Sequence, residues 1–300
     1  MIWVVCPMLR DTESFLRLRD EVVDHVGRND HRVLRFLVVD DSAGTDDEVV
    51  QLKACSDVDL LTPPFNLGHQ RAIVYGLRYL APFVADDDVV VTMDSDGEDR
   101  PEDVPRLLQG LDDDHGTALV LAERTKRTEP IRFRLMYVMF RLFFRVLAGV
   151  TVQSGNFAAQ RGDSLRVTVQ HPSFDLCYSS TLLALRRPTA MVRCARGTRF
   201  AGRSRMNTSS LIVHGIRMLL PFGERIAARM LVMAAGSFIA LVTVATLVWT
   251  STIEGAAALA SLVVAAVVFL TSSSGFLVLL SGFASSSAIP EAPGRPAAAS

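Results

Sequence analysis

The sequence has few cysteines and lacks the patterns that hold a zinc ion or a disulfide framework. Its 300 residues contain four widely spaced cysteines and no CxxC pair, which excludes a zinc-ribbon site and indicates reduced thiols on the cytoplasmic side. The apolar start, residues 1–9, has no basic region and no small-residue cleavage site, so no signal peptide is predicted. No basic patch is interleaved with aromatic residues, so no nucleic-acid partner is expected.

Charge is absent from one long stretch and concentrated in two others. No charged residue occurs from Gly255 to Pro290, although the chain has 31 basic and 32 acidic residues. Nine acidic residues accompany one arginine between Asp86 and Asp103, and ten arginines accompany one glutamate in 186–229. A mean hydropathy of +0.28 excludes a disordered chain and argues against a wholly soluble one. The separated charges predict two different partners.

The first 125 residues alternate short apolar runs with helix-length segments. Such near-continuous apolar strands, separated by helices, predict a mostly parallel α/β sheet that is buried on both faces. The ligands of these sheets bind at the carboxyl ends of the strands, where Asp40–Asp41 and Asp94–Asp96 fall. The predicted strands are Ile2–Cys6, Arg35–Val39, Val58–Leu61, Val89–Met93 and Ala118–Ala122.

Two long uncharged stretches, Leu231–Thr250 and Ala256–Leu280, predict a pair of membrane-spanning helices. At 1.5 Å per residue, twenty residues extend about 30 Å, which matches the hydrocarbon thickness of a bilayer. The five-residue connector predicts a tight antiparallel hairpin; the alternative is a buried hairpin in a soluble core. Arginines precede the first stretch, so the positive-inside rule places the N-terminal domain and the C-terminus in the cytoplasm.

A further helix is predicted over Ile131–Val150, with Arg134, Arg141 and Arg145 on one face. This pattern is typical of a helix at a membrane surface. It is equally typical of a helix that packs in the domain while its arginine stems extend into solvent. Both interpretations stay open.

The strongest local motif is the acidic segment that follows the fourth predicted strand. Asp94 and Asp96 come directly after the strand, and Glu98 stands two residues further on. Alternating carboxylates at a strand end can converge on a hard divalent cation, which prefers oxygen ligands. The alternative is an acidic loop that caps the next helix, because Pro101 and Glu102 are typical of a helix start. The strand before the motif favours the cation.

Several motifs, in this order, resemble the family 2 glycosyltransferases of the polyprenyl-phosphate type, the group of dolichyl-phosphate mannose synthase and its bacterial undecaprenyl-phosphate relatives. The resemblance covers Ile2 to Phe283, and two predicted membrane helices follow the motifs as in many bacterial members. The motifs are VVDDS at 38–42, similar to VDDGS; NLGHQRA at 66–72 with Gly76, similar to NxGxxxA…G; MDSDGEDRPE at 93–102, similar to MDADLQDPPE; GNF at 155–157, similar to GDF; and RFAGRSR at 199–205, similar to RFAGxSK.

The resemblance implies a role for individual residues. The donor nucleotide would contact Pro7, Asp11, Asp41, Asn66 and Asp94. Four residues would be catalytic: Asp94 and Asp96 would serve the ribose and the metal-bound diphosphate, and Arg124 and Arg127 would lie near the diphosphate and the acceptor. Mg²⁺ or Mn²⁺ would be held by Asp94, Asp96 and Glu98, and the acceptor phosphate by Arg199, Ser204 and Arg205.

The resemblance also implies an organisation and an activity. A cytoplasmic GT-A domain (1–205) would be followed by a juxtamembrane amphipathic segment (206–229), two membrane helices (230–282) and a disordered tail (283–300). This inverting enzyme of the inner membrane would move one sugar from a UDP- or GDP-sugar to a polyprenyl phosphate. Its partners would be these substrates and the lipid bilayer, with room for a homo-oligomer.

Some positions depart from the family pattern and motivate the first of two alternative hypotheses. Leu9 and Arg10 replace an aromatic residue and an asparagine, Ala43 replaces a glycine, and Asn156 replaces an aspartate. One alternative is a catalytically impaired homologue that acts as a membrane scaffold or flippase partner. The other is a family 2 transferase with a different lipid or glycan acceptor. His69 is interpreted as an ordinary polar position.

Overall fold

The computed structural model describes residues 1–28, 30–114, 116–124, 131–152, 154–201, 208–250 and 255–284. These residues form two compact units. The first unit contains Met1–Val138 and Val152–Pro221, and the second contains Met139–Thr151 together with 222–284. Arg127, Ser204 and Arg205, three of the predicted site residues, lie outside the described residues, as does the predicted tail beyond residue 284.

The described part of the first unit contains a seven-stranded sheet in the order β3-β2-β1-β4-β6-β5-β7. All neighbours are parallel except β6, which runs antiparallel to both β4 and β5. The predicted, mostly parallel α/β sheet is therefore confirmed. The strands are β1 (Ile2–Met8), β2 (Leu34–Asp40), β3 (Val58–Leu61), β4 (Val89–Thr92), β5 (Leu119–Arg124), β6 (Ser154–Arg161) and β7 (Thr189–Cys194).

Helices connect the strands and cover the sheet, and two long helices follow at the end of the described chain. In order, the helices are α1 (Thr12–Gly27), α2 (His69–Leu80), α3 (Val104–Asp112), α4 (Ile131–Ala148), α5 (Gly162–Val169), α6 (Tyr178–Ala184), α7 (Thr208–Leu219), α8 (Gly223–Trp249) and α9 (Ala256–Ala284). Short 3₁₀ turns occupy Asp47–Ala54, Pro101–Asp103 and Leu220–Phe222.

The sheet is buried on both faces, and its parallel strands β1, β2 and β4 are apolar on both sides. Alternate residues of β1 point to opposite faces, so Val4 and Cys6 enter one core whereas Trp3 and Val5 enter the other. Helices α1 and α3 cover the first face, and α2, α5 and α6 cover the second. This two-sided burial explains why these strands are continuous apolar runs in the sequence.

A glycine lets α2 approach the sheet closely. A Cβ atom on Gly76 would lie 2.6 Å from Val39 Cγ2 and 3.1 Å from Val5 Cγ1, which is too close for normal packing. Both valines are completely buried. Gly76, four residues after the NLGHQRA motif, therefore sets the distance between α2 and the strands that carry the site.

We expect Gly76→Ala to lower the free energy of unfolding by about 1–3 kcal/mol, because the added methyl group overpacks the contact with Val39. Thermal unfolding followed by circular dichroism in detergent measures the change. Gly27→Ala is the matched control, because a Cβ atom at Gly27 meets nothing within 4 Å. Equal unfolding midpoints for the two variants would contradict the assigned packing role.

In the second unit, two arginines at the start of α8 bind the end of α4. Arg225 Nη1 donates to Ala148 O (3.1 Å), and Arg229 Nη1 donates to Val146 O (2.6 Å) and Leu147 O (2.9 Å). Cations at a helix C-terminus satisfy its free carbonyls and interact favourably with its dipole. Two of the arginines counted in the positive-inside argument thus have a structural task.

The packing of helix α4 bears on the two interpretations that the sequence left open. Phe144 is buried and stacks edge-on against Phe222 at 5.4 Å, so one side of the helix is packed. Leu142 and Val146 are exposed one turn apart, so another side presents apolar residues outward. The helix is therefore packed on one face and apolar on an exposed one.

Two helices, within Val213–Trp249 and Ala258–Val278, are long and apolar enough to cross a membrane. They correspond to the predicted spans Leu231–Thr250 and Ala256–Leu280. Most of their large apolar side chains are exposed, such as Val232 (71%), which is unlike the core helices of the first unit. A buried hairpin within a soluble core does not describe these exposed helices.

Candidate active site

The topology of the sheet brings polar residues from separate parts of the chain to one edge. Strands β1, β2, β4 and β5 run in the same direction, so their carboxyl ends meet there, and the antiparallel strand β6 begins there. Asp41 follows β2, Asp94 lies just after β4, Arg124 ends β5, and Asn156 is near the start of β6. This edge is where open α/β sheets bind ligands.

Residues 94–99, which we call the acidic loop, fold back tightly on themselves. Asp96 Oδ1 accepts a hydrogen bond from Glu98 N (2.9 Å), and Asp99 Oδ2 accepts one from Asp94 N (3.0 Å). Gly97 has a φ of +82°, a conformation that favours glycine at the tip of the turn. The loop therefore holds its four carboxyl groups close together.

Asp94 lies beside a histidine from the start of α2. The distance from His69 Nε2 to Asp94 Oδ1 is 3.2 Å. Burial alone would raise the pKa of Asp94, but the charges of His69 and Arg124 outweigh it and hold this pKa well below its usual range. Burial lowers the pKa of His69, yet its contact with Asp94 more than compensates and raises it overall. Asp94 is therefore ionised, and His69 belongs to the site.

Arg124 pairs with a carboxyl group that sequence reasoning did not select. Arg124 Nη2 donates to Asp99 Oδ1 (3.1 Å), and the Asp99 side chain is only 3% exposed. Burial first, and the negative charge of Asp94 second, raise the pKa of Asp99 to about 7. Arg124 thus carries counter-charge for both Asp94 and Asp99 at the end of β5.

Two predicted donor-binding residues are joined by direct hydrogen bonds. The carboxylate of Asp41 accepts bonds from Leu67 N (2.6 Å) and Gly68 N (2.9 Å), while Asn66 Nδ2 donates to Asp41 O (2.7 Å). Burial raises the pKa of Asp41, and the two backbone bonds oppose that rise. In the structure, Asp41 therefore anchors the loop before α2 to the end of β2.

The other two predicted donor residues lie on β1 and just beyond it. Pro7 is buried in β1 and pairs in register with Val39 of β2. Asp11 is partly exposed at the N-cap of α1, where Asp11 O accepts a hydrogen bond from Phe15 N (3.0 Å). Both therefore lie at the carboxyl edge of the sheet, with the Asp11 side chain making no capping hydrogen bond.

Residues 196–200, which we call the arginine segment, lie directly on the acidic loop. Arg199 Nη2 is 2.8 Å from Asp96 Oδ2, and Arg199 Nε donates to Glu98 Oε1 (3.1 Å). Arg196 Nη2 donates to the other oxygen, Glu98 Oε2 (2.5 Å). The two oppositely charged segments that the sequence separates by about a hundred residues are therefore neighbours in space.

A family profile now adds to this geometry. The sequence profile described as Glycosyl transferase family 2 matches residues 14–168, just over half of the chain. The chain belongs to glycosyl transferase family 2. It is therefore a glycosyltransferase that uses a nucleotide sugar, as predicted. Comparison with curated protein sequences finds no significant match.

Solved structures share the GT-A fold of this family 2 transferase. A mycobacterial protein superposes with a TM-score of 0.51 at 20% identity, covering 75% of this chain and 74% of the other. Mannosyl-3-phosphoglycerate synthase from Rubrobacter xylanophilus gives 0.50 at 16% identity, covering 77% and 74%. Glucosyl-3-phosphoglycerate synthase from Mycobacterium tuberculosis, solved with Mn²⁺, UDP-glucose and phosphoglyceric acid, gives 0.48 at 20%, covering 75% and 79%. Identities this low establish only a common fold.

A buried chain of amides supports His69 from within the transferase domain. Gln70 Nε2 donates to Asn156 Oδ1 (2.5 Å), and Asn156 Nδ2 is 2.6 Å from His69 Nε2. Gln70 Oε1 in turn accepts from Ser179 N (3.4 Å) and from the Cys177 thiol (3.3 Å). Asn156, which departs from the family pattern, is therefore integrated into the site through hydrogen bonds to Gln70 and a contact with His69.

The interpretation of His69 as an ordinary polar position is wrong, because α2 places its ring against Asp94. Asp99 and Arg196 were also missed as site residues. A usable signal existed for Asp99, since it occupies the third aspartate of the MDADLQDPPE-like motif. For His69 the signal was its place in the NLGHQRA motif, and for Arg196 it was only the local arginine density.

The acidic loop has the chemistry of a divalent cation site. Carboxylate oxygens are the ligands that Mg²⁺ prefers, and Mn²⁺ also suits them. Asp94, Asp96 and Glu98 supply them, but Asp96 and Glu98 are bonded to the arginine segment. Across the described ranges, no group of three or more His, Cys, Asp or Glu side chains is arranged as a ready metal site.

We expect Asp99→Ala to lower the free energy of unfolding by about 1–3 kcal/mol, because the partly buried guanidinium of Arg124 loses a hydrogen-bond acceptor and keeps only Asp94 as a neighbouring counter-charge. Unfolding in denaturant, followed by circular dichroism, measures the loss. The control is Asp24→Ala, which breaks an exposed pair with Arg28 and should cost less than about 1 kcal/mol. Similar losses in the two variants would contradict a buried ion pair at Asp99.

Proposed function

We propose that this family 2 transferase moves a single sugar from a UDP- or GDP-sugar to a polyprenyl phosphate at the cytoplasmic face of the inner membrane. The observation that carries the proposal is the contact between the acidic loop and the arginine segment at the ligand-binding edge of the sheet. The carboxylates of the acidic loop suit a metal-bound diphosphate, and the guanidinium groups of the arginine segment suit an anionic acceptor. Two helices apolar enough to cross a membrane in the same chain favour a lipid as that acceptor.

On the donor side, the nucleotide is proposed to bind along the ends of β1, β2 and β4. Pro7, Asp11, Asp41, Asn66 and Asp94 are the assigned residues. Support comes from their shared edge of the sheet, where Asn66 is hydrogen-bonded to Asp41. Asp41 follows β2 and Asp94 follows β4, and only β1 lies between these two strands. Because both oxygens of Asp41 accept backbone bonds, its proposed role is to shape the nucleotide pocket through the loop before α2.

A divalent cation, Mg²⁺ or Mn²⁺, is proposed to be held by Asp94, Asp96 and Glu98. Such a cation, when bound, supplies neutralising charge to the departing diphosphate. Arg124 and Arg127 are assigned to the same developing charge. For Arg124, support comes from its position at the end of β5, within reach of the acidic loop.

On the acceptor side, Arg199, Ser204 and Arg205 are proposed to bind the lipid phosphate. Arginine suits this task because its planar donors match phosphate oxygens. A phosphate oxygen is already ionised near neutral pH, so it can attack the anomeric carbon without a general base. The new carbon–oxygen bond forms on the face opposite the diphosphate, whose bond to the sugar breaks, and the configuration inverts.

The amide at position 156 agrees with such an acceptor. A neutral sugar hydroxyl would have to lose a proton, and an amide cannot accept it as a base. Asn156 is 8% exposed and is held by Gln70 at 2.5 Å, so it keeps a fixed orientation beside His69. Catalysis by alignment and charge stabilisation remains sufficient for a phosphate acceptor.

For the chain as a whole, we propose the domain limits that the sequence suggests. Residues 1–205 form the cytoplasmic catalytic domain, 206–229 a juxtamembrane segment, 230–282 the two membrane helices, and 283–300 a tail. The bounds of α8 and α9 and the exposure of their apolar side chains support the membrane part. The protein would then be a multi-pass membrane protein with room for homo-oligomers.

The activity is tested with the purified full-length protein in detergent, radiolabelled UDP- and GDP-sugars and undecaprenyl phosphate. We expect label to enter the lipid fraction only with a divalent cation, and Asp96→Ala to lose it. Asp87→Ala, an exposed acidic residue before β4, serves as the matched control. Transfer to 3-phosphoglycerate but not to lipid would overturn the acceptor. No transfer and no nucleotide binding would favour the scaffold hypothesis.

We expect the full chain to remain in the membrane pellet after alkaline carbonate washing, because the long charge-free stretches of α8 and α9 anchor it. Val264→Arg should raise the extracted fraction, since a charge near the middle of a membrane helix costs about 2.5–3.5 kcal/mol. Immunoblotting of pellet and supernatant measures the distribution. Val50→Arg, at an exposed site of the catalytic unit, is the control. Complete extraction of the wild-type chain would contradict membrane spanning.

A further inference from the structure

Two carboxylates of the acidic loop are paired with the two guanidinium groups of the arginine segment. One guanidinium, that of Arg199, bridges Asp96 and Glu98, and a second, that of Arg196, takes the remaining oxygen of Glu98. The carboxylate side chains are 11% and 14% exposed and the guanidinium side chains 30%. These pairs are therefore partly desolvated, which makes them stronger than exposed surface pairs.

The backbone of the arginine segment is fastened to the same loop. Gly197 N donates to Glu98 O (2.9 Å), and Phe200 N donates to Asp96 O (2.9 Å). A Cβ atom on Gly197 would lie 2.2 Å from Gly97 O, so only glycine allows this close approach. The two arginines are therefore presented to Asp96 and Glu98 by a defined backbone contact.

This pairing conflicts with the other tasks of the same groups. The proposed cation needs the oxygens of Asp96 and Glu98, which now bind guanidinium groups. The substrate phosphate needs free guanidinium donors, which now bind carboxylates. Neither task can be performed while the four side chains remain paired with one another.

The charges of the two arrangements match. Two guanidinium groups supply two positive charges to Asp96 and Glu98, and one divalent cation supplies the same charge. The two released guanidinium groups then match the charge of a phosphate dianion. An unpaired buried charge is costly. A partner exchange avoids this cost, because every partly buried carboxylate and guanidinium keeps a counter-charge.

We infer that Arg196 and Arg199 exchange partners, binding Asp96 and Glu98 in the ligand-free enzyme and a substrate phosphate once a divalent cation holds these carboxylates. The inference rests on the proposed function and adds Arg196 to the phosphate-binding residues. The phosphate belongs either to the acceptor lipid or to the donor diphosphate. Because the exchange links two binding events, each ligand must strengthen the binding of the other by the same factor.

Mn²⁺ binding to the full-length protein in detergent is measured by electron paramagnetic resonance, with and without a phosphate ligand. Farnesyl phosphate represents the acceptor, and UDP or GDP represents the donor. We expect farnesyl phosphate or the nucleotide to lower the Kd of Mn²⁺ about tenfold, within the usual range of coupling. The arginines are assigned to the acceptor if the glutamine variants below lose the coupling with farnesyl phosphate, and to the donor if they lose only the coupling with the nucleotide.

Charge-neutral variants separate an exchange from a static ion pair. Arg196→Gln and Arg199→Gln should bind Mn²⁺ about tenfold more tightly on their own and lose most of the coupling to phosphate, because the competing cation is gone. Arg199→Lys keeps one charge without bridging two carboxylates, so it should show an intermediate effect. Arg193→Gln, whose exposed side chain pairs loosely with Glu123 at 3.6 Å, is the matched control.

The exchange is overturned if the two glutamine variants bind Mn²⁺ no more tightly than the wild type, or if phosphate ligands leave wild-type Mn²⁺ binding unchanged. Circular dichroism confirms that each variant is folded, and Arg199→Lys tests the exchange if a glutamine variant is not. Failure of the proposed function looks different. In that case Mn²⁺ and phosphate remain coupled, but no sugar reaches the lipid from any donor.

Discussion

Asp94→Asn is expected to lower the rate of sugar transfer about 1,000-fold without disturbing the fold, a loss of about 4 kcal/mol of transition-state stabilisation. The substitution keeps the shape of the side chain but removes the negative charge. That charge faces His69 at 3.2 Å and lies in the field of Arg124 and Asp99. Asparagine cannot replace it as a cation ligand of equal strength or as the counter-charge of the histidine. Initial rates of label transfer to lipid measure the effect.

The control for this prediction is Asp87→Asn, the same chemical change at an exposed position before the same strand. Asp87→Asn should leave the rate within about twofold of the wild type and the unfolding temperature unchanged, since surface changes cost little. Asp94→Asn should remain folded but unfold at a lower temperature, because His69 and Arg124 lose a counter-charge. An Asp94→Asn enzyme that keeps more than a tenth of the wild-type rate would remove Asp94 from the catalytic machinery.

Removal of divalent cations is expected to lower transfer at least about 100-fold, because the acidic loop would lose the charge proposed to stabilise the diphosphate. The measurement uses protein dialysed against chelator, followed by addition of Mg²⁺ or Mn²⁺ to restore the rate. Titration of UDP and GDP in the same samples shows whether the lost activity reflects lost donor binding.

Chelator that is already saturated with Mg²⁺ is the matched control, since it leaves the concentration of free cation high. Sodium chloride at equal ionic strength controls for screening of the exposed charges. Undiminished transfer in the metal-free sample would show that the arginines, rather than a cation, carry the charge of the departing diphosphate.

The parallel strands could be predicted well because strands that are buried on both faces consist of continuous apolar residues. All five predicted strands are present with ends within two residues of the prediction, as for Val58–Leu61 and Val89–Thr92. A strand covered on both faces must be apolar throughout, so it is visible without knowledge of its neighbours. The charge-free helices were visible for the same reason, and the predicted helix over 131–150 ends only two residues earlier, at Ala148.

Strand β6 was not predicted, although it lies inside the sheet between β4 and β5. Its sequence, SGNFAAQR over Ser154–Arg161, contains small and polar residues that resemble a loop. Gln160 is nevertheless completely buried, because it hydrogen-bonds with the Thr168 hydroxyl (3.0 Å). Such a strand is specified by partners elsewhere in the chain, which no local pattern reveals.

Among the site residues, the sequence located the acidic loop but not most of its partners. Asp94 and Asp96 stand next to a recognisable strand, so their position at the sheet edge followed from the fold class. Asp99 and His69 reach the same place by contacts of a different kind. The Asp99 side chain accepts a hydrogen bond from Asp94 N within the loop, whereas His69, at the start of α2, contacts the Asp94 side chain. Those contacts depend on turn geometry and strand order.

The amino-acid sequence alone determined which segments become parallel strands, where the acidic loop follows one of them, and which helices are apolar enough for a membrane. These properties depend on local composition and on the burial that each segment requires. Only the tertiary structure decided that Arg196 and Arg199 bind Asp96 and Glu98, and that Arg124 binds Asp99. Pairings across long sequence separations arise from strand order and register, which bring distant charges within bonding distance.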